Sequence, residues 1–291
     1  MEYFYLAVAI LAFSIQFIFS KKYELMTKGG VKSGVWFSFV KGFIAVFLFL
    51  ILSGFSIRVT ASTISWALVY SVATVVCSIC SILAINRGSV GKVTMFLLSG
   101  GLILPFLAGV LMWDEKLGFM KIIGTLIIFL AIIIQNIGSE KSKEGTFFFI
   151  LCMVVFTANG LISVASKGAE ISKGRVPTNN FLFVCGIFIF LISSAVLLVV
   201  HNDGFKLPRF QFRPIFIVPI VLYTAMNSTG NVFSLSAARV MDASVQFPIL
   251  SAAIVVITAF LAYVFFKEKP GKKDLLSIGL NTLGILCFLF V

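Results

Sequence analysis

Runs of mostly apolar residues, each about as long as a bilayer is thick, recur from one end of this chain to the other. No other feature limits its fold so severely. About 20 residues at a 1.5 Å rise carry a helix across a hydrocarbon core about 30 Å thick. Inside lipid every backbone N–H and C=O must be paired within the protein, which leaves only helices or a closed barrel. The runs lack strict two-residue alternation, so helices are predicted. Ten spans are read, near 3–20, 35–53, 64–85, 93–113, 118–138, 146–166, 181–200, 214–236, 243–266 and 275–291. The fourth and fifth are parted only by the turn at Asp114 to Leu117, because one fused helix would overshoot any bilayer. The expected fold class is an all-α integral membrane protein, with no soluble domain hidden in its short loops.

Composition agrees. With 60% hydrophobic and 12% charged residues and a mean hydropathy of +1.11, the chain cannot clothe a soluble surface. A net charge of +12 would point to nucleic acid in a soluble protein. Here the Lys and Arg fall in short loops, where they orient spans and meet anionic headgroups, so the expected partners are membrane lipids and not nucleic acid. The first run has no basic segment before it and no small-residue cleavage site after it, so it reads as a retained helix. Cys77, Cys80, Cys152, Cys185 and Cys287 all lie in apolar runs, which makes packing the favoured role even for the Cys-x-x-Cys at 77–80. The single histidine, His201, stands at a span end. No metal site, cofactor or catalytic set can be assembled around it, and the chain is not expected to be an enzyme.

The chain repeats itself. Tyr70, Thr74, Ser78 and Ser81 share one helical stripe inside a run that closes on the turn WDEKLG. After an offset of 153 residues, Tyr223, Asn227, Asn231 and Ser234 occupy the same stripe in a run that closes on FKEKPG. The identities are few, including Tyr70, Ser81, Ala84, Glu115, Lys116 and Gly118, but polar positions persist where composition alone would match only Phe, Leu and Val. Two halves follow, residues 1–144 and 145–291. Each holds five spans, an odd number, so the second half enters the membrane from the opposite side. The prediction is ten transmembrane helices arranged as two inverted five-helix repeats, a construction of secondary transporters.

In this layout the sequence resembles the drug/metabolite transporter superfamily in its ten-helix EamA-type form. The resemblance rests on the two five-helix halves, on Ala84 and Ala237 about thirty residues ahead of Glu115 and Glu268, and on the helix-turn-helix around each Glu. The family turn usually reads Leu-Gly-Glu-Arg, where this chain has Trp113, Asp114, Glu115, Lys116 and Phe266, Lys267, Glu268, Lys269. The resemblance implies export or exchange of small solutes, a basic residue near Lys41 in the second helix as part of the cavity, and cytoplasmic termini. The charge count leans the other way: fifteen Lys and Arg lie on the side of the first loop against seven opposite, which would put both termini outside.

Candidate site residues are the polar groups that lipid would otherwise reject. Asn227 and Asn231 carry carboxamides that must find partners or water. Gln16 and Asn159 are the matched amides of the first and sixth spans, equally suited to a cavity wall or an interhelical bond. Thr74 adds a hydroxyl, and Tyr70 and Tyr223 offer ring faces and phenols. Lys41 is read as the one charge within a span, and its cost of about 2.5 to 3.5 kcal/mol asks for a role such as pairing with a substrate anion. No Asp or Glu lies within any span as drawn, which disfavours proton-coupled export of cations. Glu115 and Glu268 read as turn residues near the dipole of the helix that follows, in preference to gating. The Gly100 to Pro105 stretch allows close helix approach within a chain or between chains, so monomer and homodimer both remain open.

The expected function is a secondary transporter of a small polar organic metabolite, with a carboxylate such as an amino acid carries, in the plasma membrane. A flippase for a lipid headgroup or lipid-linked sugar, and a non-transporting membrane interaction subunit, are the alternatives.

Overall fold

The computed structural model describes residues 1–27, 31–85, 90–136, 145–202, 214–267 and 271–288. Ten α-helices and no strand lie among them. They are α1 (Glu2–Thr27), α2 (Val31–Leu52), α3 (Ala61–Ile85), α4 (Val90–Met112), α5 (Phe119–Asn136), α6 (Thr146–Ile171), α7 (Thr178–Asn202), α8 (Pro214–Ala238), α9 (Ala243–Phe266) and α10 (Lys272–Cys287). Seven are long and apolar enough to cross a membrane; α4, α5 and α10 carry the shorter apolar stretches Phe96–Met112, Phe119–Ile134 and Leu275–Cys287. Side chains such as Leu111, Phe119, Phe147 and Leu198 stand exposed on the outside, as a multi-pass membrane protein requires.

Apolar helices gain little by hiding from lipid, so they associate through close packing and small residues. α1 packs on α8 and α9, α6 on α3 and α4, α2 on α7, and α5 on α10. Glycine stands at every one of these crossings but that of α1 on α9. A Cβ at Gly230 would lie 2.6 Å from the Phe13 ring, one at Gly168 2.6 Å from the Trp66 ring, one at Gly42 2.9 Å from the Phe190 backbone and one at Gly284 2.5 Å from Ile128. The tightest is α4 on α6, where a Cβ at Gly100 would fall onto the Phe156 carbonyl. The Gly100 to Pro105 stretch therefore serves contact within the chain. Pro105, Pro219 and Pro248 sit inside α4, α8 and α9, where each removes one intrahelical hydrogen bond.

Two expectations are corrected here. Lys41 is not the only charge within a span, since Lys121 stands inside the one read at 118–138, in α5; and α6 continues past the span read at 146–166 to take in Lys167 and Glu170, all three buried. Their partners make this tolerable. Lys121 pairs with Asp242 at 2.7 Å, Glu170 with Arg239 at 2.7 Å, and the Lys167 ammonium donates to the Ala238 and Met241 carbonyls at 2.8 and 2.5 Å. Hydropathy along the chain cannot register a partner some 70 or 120 residues away. Glu115, for its part, meets a helix dipole, but that of α9 and not of the helix following it: it accepts from the Ala243 and Ser244 N–H groups at 2.6 and 2.8 Å. Glu268 and Lys269 of the second turn lie outside the described residues.

Candidate functional site

α8 is the hub. Its residues Tyr223, Asn227 and Asn231 come from the second half of the chain, and Lys41, Phe37, Gln16 and Tyr70, which meet them, come from the first. Asn227 Nδ2 donates to Gln16 Oε1 of α1 at 2.7 Å. Asn231 Nδ2 donates to the Asn227 carbonyl at 2.9 Å and to Asn227 Oδ1 at 3.2 Å. The Tyr70 hydroxyl of α3 then donates to Asn231 Oδ1 at 3.2 Å. Four of the predicted residues thus form one ladder, Gln16–Asn227–Asn231–Tyr70, crossing three helices. Spacing explains it: 223, 227 and 231 repeat every four residues, one face of a 3.6-residue helix.

One turn along α8, the Tyr223 ring faces α2. The Lys41 ammonium lies 5.5 Å from its centroid, and the Phe37 ring packs edge-on against it at 4.8 Å. That distance suits a cation–π contact. Among the described residues no carboxylate forms an ion pair with Lys41. Lys41, Tyr223, Asn227 and Asn231 are each half-buried, and Gln16 and Tyr70 are buried.

Thr74 sits one turn beyond Tyr70, but its hydroxyl donates to the Tyr70 carbonyl at 2.7 Å, and Ser78 repeats the arrangement on Thr74 at 2.8 Å. Donors bonded to their own helix hold nothing else, although their oxygens can still accept. Asn159 lies apart from the ladder. Its Nδ2 donates to the Leu97 carbonyl of α4 at 2.8 Å, beside Gly101, which makes it an interhelical tie. Asn159→Ala should therefore lower the melting temperature by an amount matching about 0.6 kcal/mol and leave ligand affinity unchanged, which thermal shifts with and without ligand will read.

Gln246 escaped the sequence reading. Fully buried in α9, it donates to the Ser234 carbonyl at 2.8 Å and to Ser234 Oγ at 3.2 Å, holding the far end of the α8 stripe. An amide inside an apolar run was the available signal. Phe37 and Phe181, which flank Tyr223 and Tyr70, gave none, because they are two of 33 phenylalanines. Cys77 and Cys185 are buried free thiols in the apolar packing, Cys77 facing the Val155 carbonyl at 4.0 Å.

No family model and no curated protein matches this chain. Solved structures do: 28 chains match. One, described only as "Crystal structure of protein", is 13% identical, with 98% of this chain and 94% of that chain covered and a TM-score of 0.72. Identity so low carries the fold alone.

Proposed function

We propose that this chain is a multi-pass secondary transporter of a small polar organic solute bearing a carboxylate or other anionic group, amino acids included. It would work by alternating access between two inverted five-helix repeats, as in the EamA-type transporters it resembles. Helix pairing supports the repeat. Replacing each helix by the one five places away turns the α1–α8 contact into α6–α3 and α1–α9 into α6–α4, and it leaves α2–α7 and α5–α10 as they are. The ladder supports a site between the halves, since α8 bonds to α1 and α3 through side chains that lipid would penalise.

One observation carries the substrate class. An ammonium at Lys41, without a described carboxylate partner, sits on the Tyr223 face one helical turn from Asn227. A substrate anion would supply the missing charge, and the amides would bond its remaining polar groups. Thermal unfolding of the purified protein against a metabolite panel tests this. A ligand at 100 times its Kd stabilises the folded state by about 2.7 kcal/mol. Carboxylates and phosphorylated compounds should raise the melting temperature and their uncharged or cationic analogues should not; the reverse pattern sinks the reading.

A flippase is the second reading, and one feature favours it. An apolar groove of about 710 Å³ runs between α3 and α6 on the lipid-facing side, lined by residues including Leu68, Val72, Val76, Met153 and Leu161. It could seat an acyl chain. Its lining shares no residue with the ladder, so the solute reading is preferred.

A further inference from the structure

At the membrane end where α2 meets α3, α4 meets α5, α6 meets α7 and α8 meets α9, the connections of the two halves are fastened to each other. We propose that this fastening is a latch whose bolt is the Glu115 carboxylate seated on the N-terminus of α9, and that its release opens the site to this end. The proposal rests on the transporter reading given above.

The bolt is built locally. Asp114 takes the left-handed conformation at φ 52°, which Asp tolerates better than most residues, and the Glu115 N–H returns to the Gly109 carbonyl at 3.0 Å. Gly109 leaves the space in which the Glu115 side chain lies, since a Cβ there would meet its carboxylate. Both carboxylate oxygens then accept from α9, at Ala243 N–H and Ser244 N–H. These amides begin a helix and have no partner within it, and an anion suits the positive end of its dipole.

The neighbouring Asp242 shows that this is more than a cap. It occupies the N-cap position of α9, where Asp ordinarily bonds its own helix, yet it makes no side-chain cap bond. Its carboxylate is held instead by Lys121 of α5 at 2.7 Å. The cap of α9 is therefore supplied by the opposite half while the local one is drawn away. If the halves part, Asp242 is free to turn onto the Ser244 amide, the N2 position that an N-cap side chain reaches, so opening leaves only the Ala243 N–H to water. That exchange of caps keeps the Ser244 amide satisfied in both states.

Weaker bonds complete the closure. Ser62 Oγ donates to Ser172 Oγ at 2.9 Å, Thr60 Oγ1 to the Gly174 carbonyl at 2.6 Å, and Asn179 and Asn180 to the Leu52 and Ser56 carbonyls at 2.9 and 3.2 Å. Each joins one half to the other. The Glu170–Arg239 pair, shared with Thr178, lies wholly within the second half and braces it as a body. An apolar layer of both halves, including Trp66, Val176 and Phe181, is packed with Tyr70 in the same cluster.

Hydrogen exchange of the full chain in lipid nanodiscs tests the latch without reference to a substrate. Glu115→Gln keeps the shape but retains a single acceptor oxygen and no charge. Exchange should then quicken about tenfold or more at 243–245 and also at 53–62 and 172–176, with the middle of α2 unchanged. Acceleration confined to 243–245 would reduce Glu115 to a cap and overturn the proposal. A second test leaves Glu115 in place. Ser62→Cys with Ser172→Cys puts two thiols where hydroxyls lie 2.9 Å apart, and oxidation should bridge them. The bridged protein should lose the carboxylate flux of the wild type and regain it on reduction; undiminished flux through bridged protein overturns the gate and leaves transport standing. A wild type that moves no carboxylate while the exchange result holds would sink the transporter reading and leave the latch.

Discussion

Exchanging Lys41 for methionine should abolish most recognition of an anionic solute and cost the fold nothing. The two effects have opposite signs, and the sign separates function from structure. A hydrogen bond to a charged group contributes about 1.5 to 3 kcal/mol, so the variant should bind its carboxylate or phosphate ligand roughly 10- to 150-fold more weakly. The ammonium itself costs about 2.5 to 3.5 kcal/mol within a membrane. Its contact with the Tyr223 ring, 5.5 Å away, returns about 0.5 to 2 kcal/mol. Removing it should thus leave the unliganded melting temperature unchanged or raise it. Ligand-dependent thermal shift and flux in liposomes measure the first effect, and unfolding of the empty protein measures the second. A variant that binds as tightly as wild type, or that is itself markedly destabilised, would make Lys41 a structural residue.

Gly100→Val should fail to yield folded protein. A Cβ at Gly100 would overlap the Phe156 carbonyl oxygen and lie 2.6 Å from its carbon, and backbone cannot rotate out of the way as a side chain can. Overpacking of ordinary cores costs about 1 to 3 kcal/mol, and a backbone-on-backbone clash should exceed it. The partner helix offers no relief, since a Cβ at Gly160 would lie 2.5 Å from Leu104 Cβ and 2.8 Å from the Gly100 carbonyl. Gly279 of α10 supplies the contrast, having nothing within 4 Å of an added Cβ. Gly279→Ala should be neutral or stabilise by about 0.4 to 1 kcal/mol. Monodisperse yield after detergent extraction and melting temperature compare the two. A well-folded Gly100→Val protein would mean that α4 and α6 do not cross where the structure places them.

Much of the architecture was legible because lipid imposes one requirement on every span: about 20 residues whose backbone satisfies itself. The expected spans therefore fall within or across the observed helices throughout the chain, with the fifth running past α5 and the last past α10 beyond the described residues. Helix ends were less legible. Lys21 and Lys22 prolong α1, and Lys167 to Ile171 prolong α6, because a helix continues past the hydrocarbon wherever its polar residues find water or a partner. The α8 stripe could be read from its four-residue spacing alone. That Gln16 and Tyr70 would meet it, and that Asn159 would be spent on α4, could not.

By itself, then, the sequence determined which segments are helical, which face of α8 is polar, and that Lys41 would lie among apolar residues of α2. Each of these depends on neighbours one to four residues away. Only the tertiary structure decided partners. It set Lys41 on Tyr223, tied Asn227 to Gln16 from 211 residues away, and sent Glu115 to cap α9 and not α5. The physical reason is common to all three. A buried polar group takes whichever partner the packing of helices brings within about 3 Å for a hydrogen bond, or within about 6 Å of a ring centroid for a cation, and that packing is governed by where glycines let backbones touch.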